Sequence, residues 1–208
     1  MADSRIQNRA FDEMRKPALQ RLEGKEPDMI VGRTGIPYDR EKQVFSLESL
    51  GKEVEVYYPR YEITPKLNEW HHLLLLHYLD MADGTKPSGE LMAFGDLPGG
   101  IARGGGFDRQ SEAALGRELG NGQPAQVGRA CETLGAEMKS SNADLCAVFQ
   151  IFPFYPVTLK LWFADEDIPG SGRLFLDRNA AHLLSVEDAV TAGTLLLESL
   201  LREYRKFG

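Results

Sequence analysis

Cysteine is scarce in this 208-residue chain, where Cys131 and Cys146 are the whole complement. Two thiols make neither a disulfide framework nor, by themselves, an iron–sulfur or zinc centre. They are read as small buried side chains. Long apolar runs are missing too. Stretches such as residues 73–76 and 195–197 span a helical turn or less, against the roughly 20 residues that a bilayer demands. The polar start, Met1 to Arg9, holds no apolar signal core. Nor is there a basic tract: no run of Lys and Arg exceeds two adjacent residues, and the formal net charge is −7. Phosphate contacts need clustered cations, so a nucleic-acid partner is not expected. These absences together predict a soluble, cytoplasmic protein with neither nucleic acid nor membrane as partner.

What is present is an ordinary globular composition, 42% hydrophobic and 26% charged. Residues 1–208 read as a single domain, with a helix over residues 1–24 as an appendage. There Ile6, Ala10, Phe11, Met14 and Ala18 recur at helical spacing, Asp3 or Ser4 can cap, and Pro17 is placed to kink or end the helix. Gly32 and Gly35 mark a turn. Strands over 43–48 and 53–58 flank a hairpin in which Gly51 takes a positive φ. Thr64-Pro65 predicts a helix start, with Thr as cap and Pro at the first position, and the helix runs to about Ala82.

A short strand near 91–94 precedes a glycine-rich turn, Leu97 to Gly106, and then helices around 111–119 and 124–134. Strands follow over Leu145–Phe152, 157–163 and 173–177, the last two forming an antiparallel hairpin through Pro169 to Gly172. Ser185 and Asp188 make the capping box of a final helix that carries Ala189, Leu196, Leu200 and Tyr204 on one face. Helices bracketing hairpins, without β-α-β alternation, predict an α+β fold: a mainly antiparallel sheet of hairpins with helices packed on it.

Three histidines, His71, His72 and His77, share one predicted helix. A metal site needs imidazoles three or four residues apart, as in His-Glu-x-x-His. Offsets of one, five and six turn no two rings the same way, at about 100° per residue, and no metal site is assigned. His71 shares the face of Leu67, Trp70, Leu74 and Tyr78 and reads as a hydrogen-bonded core-edge residue, while His72 points to solvent. The glycine-rich turn lacks the Lys-Ser or Lys-Thr of a phosphate loop, and Arg109 stands where a dinucleotide loop has its third glycine. It reads as an irregular connection needing positive φ. Arg103 within it is an anion-binding candidate, and no motif encodes a cofactor.

The densest candidate site is the C-terminal hairpin. Asp165, Glu166 and Asp167 end one strand, Asp177 ends its partner, and His182 follows five residues on. Carboxylates gathered together perturb one another's pKa or bind a hard cation, and a carboxylate beside histidine orients a general base. Asp165, Glu166, Asp177 and His182 are therefore the catalytic candidates. Lys160 and Trp162 lie on the strand face opposite the expected core and are ligand-binding candidates.

The run Leu159-Lys-Leu-Trp-Phe-Ala-Asp-Glu-Asp-Ile-Pro169, then Leu174-Phe-Leu-Asp177, then His182-Leu-Leu-Ser-Val-Glu-Asp188 resembles the closing signature of an uncharacterised prokaryotic family, domain of unknown function 3786. Thr34-Gly35 with Tyr38-Asp39, Tyr58-Pro59, Leu76-His-Tyr-Leu79 and Phe94-Gly-Asp-Leu-Pro-Gly-Gly100 agree, so the resemblance covers the chain from about Gly35 onward. Asp167-Ile168 departs from the usual Glu-Phe, and Leu176 from the usual Phe. The resemblance implies an anaerobe's protein and relatives with an iron–sulfur domain like that of corrinoid proteins. With no clustered cysteines here, a cluster or corrinoid would belong to a partner.

Three functions are weighed. The leading one is a ligand-binding or accessory module serving a redox, corrinoid or iron–sulfur partner. The alternative is an enzyme using the Asp/Glu/His cluster for acid–base or metal-assisted chemistry. The third is a structural oligomer subunit.

Overall fold

The structure, a computed structural model, describes residues 2–207, without the side chains of residues 2–8 and of residue 10. Helix α1 (Ala2–Leu22) continues through Pro17. The expected break is absent because tertiary packing holds the last turns, with Ala18 and Leu22 fully buried. The capping role of Asp3 or Ser4 and the faces of Ile6 and Ala10 lie outside the described side chains. Helix α2 (Pro27–Thr34) stands where a simple turn was expected. Pro27 opens it, since its missing N–H is not needed there, and Gly35 ends it in the left-handed region at φ 72°.

Strands β1 (Tyr38–Asp39), β2 (Val44–Ser49), β3 (Lys52–Tyr57) and β4 (Glu62–Thr64) form an antiparallel sheet in that order. Leu50 and Gly51 both take positive φ, 51° and 69°, which gives the β2–β3 hairpin the twist of its strands. Helix α3 (Glu69–Met81) begins four residues later than Thr64-Pro65 suggested. Thr64 still belongs to β4, and the Asn68 side chain caps α3 by accepting from the Trp70 amide at 2.8 Å.

The second half holds β5 (Leu91–Met92), a 3₁₀ turn over Phe94–Asp96, α4 (Arg103–Leu115) with a π-helical turn at Gly116–Gly120, α5 (Pro124–Thr133), β6 (Glu137–Met138), β7 (Leu145–Phe152), β8 (Tyr155–Trp162), β9 (Ser171–Asp177), a 3₁₀ turn over Arg178–His182 and α6 (Val186–Tyr204). These strands make a second antiparallel sheet in the order β5-β9-β8-β7-β6. The fold is α+β, as read from the sequence, with two sheets. The glycine-rich turn departs from expectation, because Gly104, Gly105 and Gly106 form the first turn of α4. Gly104 is required by close packing rather than by φ: a Cβ there would stand 2.1 Å from the Phe94 carbonyl oxygen.

One apolar core joins both sheets and the helices. Its large members include Phe94, Phe149, Phe152 and Tyr155, each worth roughly 1.5–3 kcal/mol of hydrophobic stabilisation. Tyr78 stacks on Phe152 with ring centroids 4.5 Å apart. Its hydroxyl donates to the Thr34 carbonyl at 2.7 Å and accepts from the Phe154 amide. Between the sheets, Ser49 Oγ donates to the Ile151 carbonyl at 2.7 Å. No helix among the described residues is long and apolar enough to cross a membrane.

Candidate functional site

The C-terminal hairpin pairs Trp162 with Ser171 at one end and Val157 with Leu176 near the other. This register separates the expected cluster. Asp165, Glu166 and Asp167 occupy the connection after β8, whereas Asp177 ends β9 at the opposite end of the sheet, about 20 Å away at roughly 3.3 Å per residue. In an antiparallel pair the end of one strand adjoins the start of the next, so two strand ends never meet. Asp165 Oδ1 accepts from the Asp167 and Ile168 amides, which fixes the turn. Glu166 is exposed.

Asp177 is a buried clasp. Its carboxylate accepts from the amides of Ser88, Gly89 and Asn179 at 2.9, 2.6 and 3.0 Å. Burial alone would raise its pKa, but these amides outweigh it and hold the carboxyl below the usual range. His182 is exposed and pairs with Asp83 at 3.3 Å, away from the acidic turn. Lys160 and Trp162 do share one face and one anchor: Lys160 Nζ donates to Asn142 Oδ1 at 3.2 Å, and Trp162 Nε1 to the Asn142 carbonyl at 3.3 Å. Trp162 also lines an open cleft of about 610 Å³ with Arg117, Gly170, Arg173 and Phe175.

The remaining ligand candidate, Arg103, leads to a second cleft of about 440 Å³ between α1, α3, α4 and α6. Its lining brings Arg103 together with Trp70, His77, Ser185, Asp188 and Thr191. Two smaller cavities, of about 300 and 340 Å³, open beside it, and both are also lined by Arg103. Arg103, the first residue of α4, is exposed. Its guanidinium has no hydrogen bond or ion pair among the described residues.

His77 is the chemical centre of this cleft. It follows Leu73 and Leu74 on the buried side of α3, where an imidazole needs a partner. That partner is Asp188, whose Oδ1 lies 2.7 Å from His77 Nδ1. The other oxygen, Oδ2, accepts from Ser185 Oγ at 2.8 Å, and Ser185 Oγ accepts in turn from the Asp188 amide at 3.1 Å. Both partners of the ion pair are largely shielded, with side chains 16% and 13% exposed. Burial pushes the Asp188 pKa up, yet the hydrogen bond and charge of His77, with the Ser185 bonds, bring it below the usual range. An ionised Asp188 only accepts, so Nδ1 carries a proton, and in the neutral ring it is Nε2 that presents the lone pair. Nε2 has no partner among the described residues.

Its helix neighbours differ. His71 is the expected core-edge residue, its Nε2 2.8 Å from Ser49 Oγ. Because the Ser49 hydroxyl is donated to Ile151, His71 Nε2 is the donor. His72 does not face solvent: Phe11 of α1 packs edge-on against it at 5.6 Å, and its Nε2 is buried. Among the described residues no three metal-ligating side chains converge. The sequence reading treated His77 as one of three scattered histidines and Asp188 as a cap only. The available signal was that both ionisable residues sit beside apolar stretches, Leu73–Leu76 and Ala189, that the fold buries.

The family model for a domain of unknown function (DUF3786) matches residues 26–199, and the chain belongs to that family. No curated protein and no solved structure matches the chain.

Proposed function

We propose, from the premise that this family carries no assigned activity, that the chain is a ligand-binding module whose ligand is a small organic anion seated between His77 and Arg103. The observation that carries the reading is the Asp188–His77 pair at 2.7 Å, lining one cleft with an Arg103 that has no partner among the described residues. A guanidinium binds carboxylate or phosphate through a planar pair of N–H donors. Trp70 supplies an apolar wall, and pockets of this kind combine such walls with a few placed polar groups. The role does not depend on the iron–sulfur or corrinoid partner implied by the resemblance. Acid–base chemistry remains the alternative, transferred from the dispersed Asp165, Glu166, Asp177 and His182 to His77 and Asp188.

The test uses Trp70 as reporter. In a Trp162→Phe background, Trp70 is the sole tryptophan. Titration with phosphate and with succinate gives a saturable fluorescence change that Arg103→Ala weakens at least tenfold. A flat titration with both anions rejects the reading.

A further inference from the structure

We infer that His77 is a general base that activates water for hydrolysis of an anion-bearing ester or amide, an inference that rests on the binding reading above. Two observations converge on it. Asp188 holds His77 Nδ1 at 2.7 Å and so leaves Nε2 as the basic nitrogen. Ser185 anchors the second carboxylate oxygen at 2.8 Å, which fixes the plane in which Asp188 meets the imidazole. This is the arrangement that makes histidine an effective base: a carboxylate orients the ring and stabilises the imidazolium that forms.

The nucleophile follows from what the other cleft residues are doing. Ser185 Oγ is committed as donor to Asp188, and Thr191 Oγ1 donates to the Glu187 carbonyl at 2.9 Å. Neither cysteine lines the cleft, both being buried elsewhere. The cleft offers no free side-chain nucleophile, and water is the attacking group. Arg103 fixes the substrate's carboxylate or phosphate away from the scissile bond. The cleft is also bordered by the start of α6 at Ser185 and Glu187, where the first helical amides lack intrahelical partners and favour developing negative charge.

Nε2 takes a proton from water as its oxygen forms a bond to the acyl carbon. The tetrahedral oxyanion collapses, the carbon–oxygen or carbon–nitrogen bond breaks, and the imidazolium returns its proton to the leaving group or to solvent. His77 is the catalytic residue, Asp188 a positioning residue and Arg103 the substrate anchor.

The experiment compares two probes on the full chain, neutral p-nitrophenyl acetate and anionic mono-p-nitrophenyl succinate. The wild type hydrolyses the succinate ester faster, and His77→Gln loses about 100-fold or more, the usual scale of general-base catalysis. Arg103→Ala removes the preference for the anionic ester. Asp188→Asn shifts the His77 nitrogen signals in a ¹⁵N spectrum away from a single Nδ1–H tautomer and lowers kcat with KM unchanged, a split that a purely structural role would not give. Circular dichroism checks that each variant is folded. Equal rates for wild type and His77→Gln overturn the inference. If succinate also quenches Trp70 saturably, the binding reading stands and only the catalysis fails. If neither succinate nor phosphate does, both fail.

Discussion

His77 and Asp188 stand 111 residues apart in the chain and 2.7 Å apart in the structure, which ties α3 to the first turn of α6. The pair has a stability signature set by Asp188. Its folded pKa lies below the unfolded value, so its stabilisation is present above the unfolded carboxylate pKa of about 3.9 and is lost as pH falls through the lower folded value. Urea unfolding between pH 6 and pH 3 should show wild-type stability falling at the acid end. Asp188→Asn should start lower at pH 6, by about 1–3 kcal/mol, and fall less. Parallel curves would remove Asp188 as the titrating group.

His71 works in a different pH window. Burial, then the nearby positive charges of Lys52 and His72, lowers its pKa to about 4. A depressed histidine is protonated more readily in the unfolded chain. Its stabilisation is therefore complete above about pH 6.5 and is lost as pH falls towards 4, on the order of 3 kcal/mol for a residue this buried. His72, lowered to about 4 by burial and Arg15, adds in the same direction. His71→Gln, which keeps a donor for Ser49, should flatten the stability curve between pH 6.5 and 4 while leaving the steeper loss below pH 4. An unchanged slope in that window would place the titration elsewhere.

Gly104 and Gly106, both in the first turn of α4, separate steric need from helix propensity. A Cβ on Gly104 meets the Phe94 carbonyl at 2.1 Å, and that oxygen is backbone that cannot swing away; a Cβ on Gly106 meets nothing within 4 Å. Gly104→Ala should destabilise by about 1–3 kcal/mol. Gly106→Ala should be neutral or stabilise by up to about 1 kcal/mol, because alanine orders the helix at lower entropic cost. Denaturant midpoints of both variants decide this, and equal midpoints would contradict the packing.

Local patterns of the sequence carried the main strands of both sheets and the last helix. The Leu145–Phe152 strand, the Gly51 hairpin and the Ser185 cap are specified by a near-continuous apolar run, a positive φ and a side-chain oxygen three residues before the amide it accepts from. What failed were features decided by distant contacts. Pro17 is tolerated because α1 packs on the core, and α2 has too few residues to show a helical period. The candidate cluster failed on register: once β8 pairs Trp162 with Ser171, Asp165 and Asp177 are at opposite ends. The His77–Asp188 pair was illegible for the converse reason, since nothing local to residue 77 points to residue 188. Arg103 was identifiable as a spare cation in a glycine-rich stretch, but only the packing of α4 beside α3 and α6 says what it faces.

Asp177 gives the sharpest contrast between a structural and a catalytic carboxylate. It is 3% exposed, and the three amides it accepts from belong to the segment before β5 and to the turn before α6. Replacing it with alanine leaves the buried Asn179 amide unpaired and removes the charge-assisted bonds to the Ser88 and Gly89 amides, each a loss of about 1–3 kcal/mol. Asp177→Ala should therefore lower the unfolding free energy by several kcal/mol and loosen the 85–90 segment in hydrogen exchange. At a temperature where the variant is folded, the Trp70 response to succinate should match the wild type, because Asp177 does not line the His77 cleft. Asp165→Ala and His182→Ala, both at exposed positions, should change neither stability by more than about 1 kcal/mol nor the Trp70 response. A lost response in either would return the candidate site to the C-terminal hairpin.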